Sequence, residues 1–296
     1  MQSTIVKSRN YLAALALVLW APFAFAMAPY IKGDSVPASD VASAMGQVEK
    51  KLQANGFTVI GKYQPKGIND SGVVIATDKT MLDTISKIGG DVIVGAALRV
   101  GVKADGTVSY MNPEYWYRAY LRKNYDAHEA AVKGLESRLK TALGAGATFG
   151  GEVDPAKLHK YQYMFGMENF EDNRDLKTFA SFDNAVDSIR ANLAKGEGNT
   201  SKVYEVVIPE KKIAVFGVAM NDPKTGDGYW VNKIEGAENI AALPYEIFVV
   251  GDKAQALFAR YRIALSWSSL KMTSFGKIMA TPGNIKSTLK TVAGAE

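Results

Sequence analysis

The chain contains no cysteine. That absence excludes disulfide staples, thiolate metal centres, c-type haem attachment and a lipid anchor on cysteine, so the 296 residues must hold together by core burial. Histidine is nearly as scarce, with His128 and His159 as the two examples. A large excess of charge is also missing. There are 35 Lys and Arg against 30 Asp and Glu, a net +5, and without Lys7 and Arg9 the balance is 33 to 30. So mild an excess gives no argument for nucleic acid. No nucleophile-elbow pattern, phosphate loop or zinc-protease motif occurs. Beyond Phe23 no apolar run is long enough to span a bilayer, so the remainder is expected to be soluble, with no transmembrane segment.

What is present begins at the amino terminus. Lys7 and Arg9 precede the apolar run "YLAALALVLWAPF" from Tyr11 to Phe23, and the small residues "AFA" follow. This order predicts a secretory signal over residues 1–26, cut after Ala26, because Ala24 and Ala26 occupy the two positions that must be small. Export of a chain without disulfides points to a bacterial periplasm.

A pattern then recurs. "VVIATDKTMLDTISKIGGDVIVGAALRVGVKADGTVSYMNP", Val73 to Pro113, can be set above "EIFVVGDKAQALFARYRIALSWSSLKMTSFGKIMATP", Glu246 to Pro282. In each a strand-like run ends in Asp-Lys, at Asp78-Lys79 and Asp252-Lys253. A short helical stretch follows, and two strand-like runs lead to a proline. Upstream lie amphipathic stripes, Val41, Met45, Val48, Leu52 and Phe182, Val186, Ile189, Leu193, at helical spacing. Strands are expected from Phe57 and in a hairpin from Tyr204 that turns near "PEKK". Asp105-Gly106 reads as a hairpin turn. Asn112 and Thr281 are expected to cap helices opening at Pro113 and Pro282. The unit is β-α-β-β-α-β-β-α in outline, and the glycines of "GAGATFGG" mark a joint near residue 150. Two domains, 27–150 and 151–296, are therefore expected.

The runs "GFTVIGKYQP", "VVIATDKTMLDTISKIGG" and "DVIVGAALRVGVKADGTVSYMNPEYW" resemble the DUF302 domain family over about residues 38–143, and more faintly over about 161–293. The resemblance implies an α+β fold of TATA-binding-protein-like type for each half, an antiparallel sheet covered by helices. It implies no reaction. In the second half, "NDPKTGDGYWVNKIEGAEN" (Asn221–Asn239) reads as an insertion into the pattern.

Candidate chemistry is thin. The stretch "YMNPEYWYRAYLRKNYD" crowds aromatics, and Tyr117, Leu121, His128, Val132, Leu135 and Leu139 form one stripe of a helix expected from Pro113 to about Leu143. Trp116 and Tyr120 lie on a flanking face, either packed against a sheet or sister domain or forming a ligand wall. That face is expected to look toward the second half near Tyr229 and Trp230. These four are the ligand-binding candidates. His128 reads as structural. His159, Met164 and Met167 in "LHKYQYMFGM" offer ligands that suit copper(I), or else a strand and turn filling a core. Asp222 and Asp227 read as a solvated turn rather than a calcium loop. No catalytic residue, metal or cofactor is assigned. The expected function is a periplasmic binding or accessory protein without catalysis, whose partner is a small molecule or another periplasmic protein. An enzyme with its site in an interdomain cleft and a copper-binding protein are the alternatives.

Overall fold

Local signals set the outer helices. Ser43 N donates to Asp40 Oδ1 at 2.7 Å while the Asp40 amide donates to Ser43 Oγ, a reciprocal cap that opens a helix with Val41, Ala44, Met45, Val48 and Leu52 on its buried stripe. Ser181 caps the later helix by accepting from Asn184 N at 3.1 Å, and Gly196 ends it in the left-handed conformation. Its stripe, Phe182, Ala185, Val186, Ile189 and Leu193, is buried as well.

The computed structural model describes residues 26–172 and 175–295. Apart from Ala26, the expected signal lies outside the described residues. The first half runs β1 (Tyr30–Lys32), α1 (Val41–Ala54), β2 (Thr58–Tyr63), β3 (Ser71–Thr77), α2 (Lys79–Ile88), a 3-10 segment (Gly90–Ala96), β4 (Leu98–Lys103), β5 (Val108–Met111), α3 (Pro113–Leu121), α4 (Tyr125–Leu143) and β6 (Thr148–Phe149). The second runs α5 (Pro155–Leu158), β7 (Asp175–Thr178), α6 (Phe182–Lys195), β8 (Thr200–Ile208), β9 (Ile213–Met220), α7 (Asp227–Lys233), a 3-10 segment (Gly236–Ala242), β10 (Tyr245–Val250), β11 (Lys253–Gln255), α8 (Ala259–Ser266), α9 (Met272–Phe275) and α10 (Thr281–Val292). No helix among the described residues is long and apolar enough to cross a membrane.

The protein is thus mixed α and β with two antiparallel sheets, ordered β2-β3-β4-β5-β1-β6 and β8-β9-β10-β11-β7. Each is a four-stranded meander whose last strand also pairs with the strand that opened that half. The likeness reaches the register: a bulge at Ile60, between Val59 and Gly61, and another at Val203, between Lys202 and Tyr204, interrupt the first hairpin at the same place. Helices α1 and α4 lie on one side of the first sheet, α6 and α10 beside the second, and the remaining faces meet. The 3-10 segments cross over, Gly90–Ala96 onto β9 and β10, and Gly236–Ala242 onto β3, β4 and β5. Being covered on both sides explains why β3 and β9 are buried at every residue and read as unbroken apolar runs.

Several expectations are corrected. The helix from Pro113 breaks at Arg122, whose φ is 52°, so α3 and α4 are separate; the break lays the Arg122 guanidinium over the Phe170 ring at 3.9 Å and pairs it with Asp91 at 2.8 Å. Asn112 precedes α3 without capping it by its side chain, whose amide is turned so that Nδ2 donates to Ala28 O at 2.9 Å while Oδ1 has no partner among the described residues. Thr281 is the first residue of α10 rather than its cap. The repeat also has a different register. By sheet order β3 matches β9, and β10 matches β4, so Asn221–Asn239 is no insertion: it carries α7 and half of the 3-10 segment, the counterparts of α2 and Gly90–Ala96. Asp252-Lys253 turns a hairpin, and in place of strands after Gln255 the chain forms the helices Ala259–Ser266 and Met272–Phe275, joined by a turn. Finally, 159–167 forms no strand; Tyr163, Met164 and Phe165 sit on an exposed turn.

Candidate functional site

The matched register places Arg99, second in β4, opposite Glu246, second in β10. Both are buried in the contact between the sheets, and one Arg99 Nη2 meets the Glu246 carboxylate. Arg262 on α8 joins them. Its Nε and Nη2 donate to Glu246 at 3.3 and 3.2 Å, its Nη2 also to Ala242 O at 2.7 Å, and its Nη1 to Ser266 Oγ. Tyr30, Tyr204, Tyr245 and Tyr261 stand around the cluster. Burial pushes the Tyr204 phenol up to about 12 and the other three further, so all four are neutral at physiological pH. The cluster is buried between the sheets, and a small cavity that Arg262 lines, beside Trp230 and Trp267, has no room for water.

The aromatic candidates gather around this point. Trp116 is fully buried, its indole N–H donating to Pro29 O at 2.8 Å, its ring 5.5 Å from Tyr120 and under the Arg262 guanidinium at 5.0 Å. Tyr120 is equally buried and touches Phe170 at 6.3 Å. Trp230 packs edge-on against Trp267 at 5.1 Å. The structure therefore brings Trp116, Tyr120 and Trp230 to the contact between the halves, on either side of Arg262. Tyr229 is separated from them and is 38% exposed.

Tyr229 opens onto a cleft of about 510 Å³ that both halves build. Lys66 and Gly67 come from the β2–β3 loop, and Asn221, Tyr229, Asn232 and Lys233 from α7 and the loop before it. Two close contacts fix its floor. Asn232 Nδ2 donates to Gly67 O at 2.8 Å, and Gly228 lies so near Lys66 O that an added Cβ would stand 1.9 Å from it. Lys233 Nζ lies 4.4 Å from the Tyr229 ring centre, a cation–π contact, and neither Lys66 nor Lys233 has an ion-pair partner among the described residues. Beneath the cleft Asp227 is fully buried. Its Oδ2 accepts from Tyr63 OH at 2.7 Å and from Met220 N at 3.1 Å, while Oδ1 has no hydrogen-bond partner among the described residues. Desolvation lifts its carboxyl to about 6, against the pull of Tyr63 OH, the Met220 amide and the nearby Trp230 indole N–H, which lies close without making a hydrogen bond of good geometry. The expectation of a solvated turn holds for Asp222, which accepts from Lys224 N and Thr225 N, and fails for Asp227, because α7 folds it inward onto Tyr63.

A second cleft, smaller at about 40 Å³, is apolar and lined by Met167, Tyr261, Trp267, Leu270, Met272 and Phe275. Of the copper candidates, Met167 belongs to this cleft, and Met164 lies across one turn, its carbonyl accepting from Met167 N at 3.1 Å. His159 ends α5 and is exposed. No group of three or more His, Asp or Glu is placed to hold a metal ion among the described residues.

Sequence reasoning missed Arg99, Glu246, Arg262, Lys66 and Lys233. A signal for two of them existed, since Arg99 and Glu246 are charges of opposite sign inside otherwise apolar strand runs. Comparison with protein-family models, with curated proteins and with solved structures finds no match for this chain.

Proposed function

We propose that the chain is an exported, periplasmic, non-catalytic binding protein whose cleft beside Tyr229 takes a small anionic molecule, and that it consists of two DUF302-like units after a cleaved signal. Support for two units of TATA-binding-protein-like type is the repeated strand order, the repeated bulge and the repeated crossover of 3-10 segments. Export rests on Lys7, Arg9 and the apolar run that follows them. The single observation behind binding is the cleft itself: it is roomy, shared by both halves, and lined by two unpaired ammonium groups, two amides and an exposed ring. For the enzyme alternative, the buried carboxyl beside this cleft, Asp227, is sealed beneath it and engaged by Tyr63 and Met220.

The test is thermal unfolding of the mature protein against a panel of small carboxylates, phosphates and sulfate esters. At least one compound should raise the wild-type midpoint by several degrees, and none should raise that of the Lys66→Ala, Lys233→Ala double variant, which keeps the wild-type midpoint without ligand. A wild type that responds to none of the panel defeats the reading. Trp116→Ala behaves differently. It should lower stability by about 3–5 kcal/mol in the absence of any ligand, because the ring is packing rather than a cleft wall.

A further inference from the structure

We propose that the contact between the sheets holds a small monovalent inorganic anion, of halide size, beside Arg99. The site is separate from the Tyr229 cleft and does not depend on what that cleft binds.

The argument begins with charge. Arg99 and Arg262 are 0% and 2% exposed, and a guanidinium does not give up its proton in a protein. One carboxylate, Glu246, serves both. Of the other buried acids, Asp78, which faces Tyr117, is already engaged by Arg138 at 2.6 Å and by Met81 N at 3.0 Å, and Asp227 is held by Tyr63 OH and Met220 N and makes no ion pair with either arginine among the described residues. A positive charge is left without a counterion where desolvation of an unpaired ion costs several kcal/mol.

Hydrogen bonding points to the same place. Arg262 has partners on Nε, Nη1 and Nη2, whereas Arg99 Nε and Nη1 have none among the described residues. The buried hydroxyls of Tyr120, Tyr204 and Tyr261 are likewise without partners. The Tyr204 ring crosses Gly217, whose added Cβ would stand 2.1 Å from it, and Gly217 pairs with Glu246 in the sheet, so the phenol lies over the charged cluster. Arg99, Arg262 and Tyr120 are all within electrostatic reach of that phenol. What is unmatched here is a set of donors around an excess positive charge. An anion accepts from all of them and supplies the charge; a water accepts from two at most, brings two donors of its own and carries no charge.

The experiment is a crystal structure of the full mature chain refolded and crystallised from sodium bromide, with data at the bromine absorption edge. An anomalous peak in contact with Arg99 Nε or Nη1 is expected; water density alone, or no density, overturns the proposal. In solution, replacing gluconate by bromide at constant ionic strength should raise the wild-type unfolding midpoint. A tenfold rise in free bromide above its dissociation constant corresponds to about 1.4 kcal/mol. Arg99→Met should abolish this response. Should Arg99→Met fail to fold, Tyr204→Phe decides, since it removes one donor and no charge: at least half of the bromide response should disappear, and an undiminished response counts against the site.

Discussion

At the scale of single residues, Asp227 gives the sharpest prediction. Its carboxyl titrates at about 6 in the fold against 3.8 for the ordinary group, because burial disfavours the charged form more than Tyr63 OH and Met220 N favour it. A raised pKa means the folded state holds the proton more tightly than the unfolded chain. The stabilisation is therefore complete below pH 3.8 and is lost as pH rises to 6, about 3 kcal/mol in all. Asp227→Asn keeps an acceptor for Tyr63 and cannot ionise. Urea unfolding of both proteins at pH 4 and pH 7 should show the variant gaining about 2 kcal/mol relative to wild type between the two, most of the full effect. A difference that does not change with pH would mean the carboxylate does not titrate there. The sequence shows Asp227 in a glycine-bearing loop and nothing of its burial; only the approach of Tyr63, 164 positions earlier, makes it a titrating core group.

The bulges at Ile60 and Val203 belong to the element scale. They bring the first hairpins of the two sheets together so closely that a Cβ on Gly61 would stand 2.5 Å from Val203 O, a backbone atom that cannot turn aside. Gly61→Ala should cost about 1–3 kcal/mol through this overlap. Gly46 in α1 has nothing within 4 Å of its Cβ position, so Gly46→Ala should instead gain about 0.5–1 kcal/mol from helix propensity. Opposite signs in denaturant unfolding check the pair, and a neutral Gly61→Ala would mean the bulges do not touch in solution. The amphipathic helices α1 and α6 were legible because a buried stripe repeats at helical spacing and a polar residue caps each one. Helix α8 was not, since every residue from Ala259 to Ser266 except Arg260 is buried and no polar face reveals the period.

For the whole molecule the decisive feature is that each sheet uses the other as its second cover. Arg99, Glu246 and Arg262 meet across that contact, Tyr115 OH donates to Leu265 O at 2.8 Å, and Tyr30 OH donates to Ser266 O at 3.1 Å. Residues 27–150 made alone would expose Ile75, Arg99 and Gly101 on one sheet face. Neither 27–150 nor 151–296 should then unfold cooperatively by itself, and the two co-expressed should recover a single transition. Two separate, independent transitions in the intact chain would show instead that the halves stand alone.

The sequence by itself determined the local pieces: capped amphipathic helices, hairpins at Asp105-Gly106 and after Ile208, and a chain without cysteine that has to rely on burial. It also carried the repetition of a β-α-β-β-α-β-β-α order, though in the wrong register for the second half. Strand pairing decided that register. The match of β3 with β9 and of Arg99 with Glu246 depends on hydrogen bonds between segments far apart in the chain, which leave no period in either one. Tertiary packing also separated Tyr229 from Trp116, Tyr120 and Trp230, because a ring's burial depends on what the opposite half places over it and not on its own neighbours in sequence.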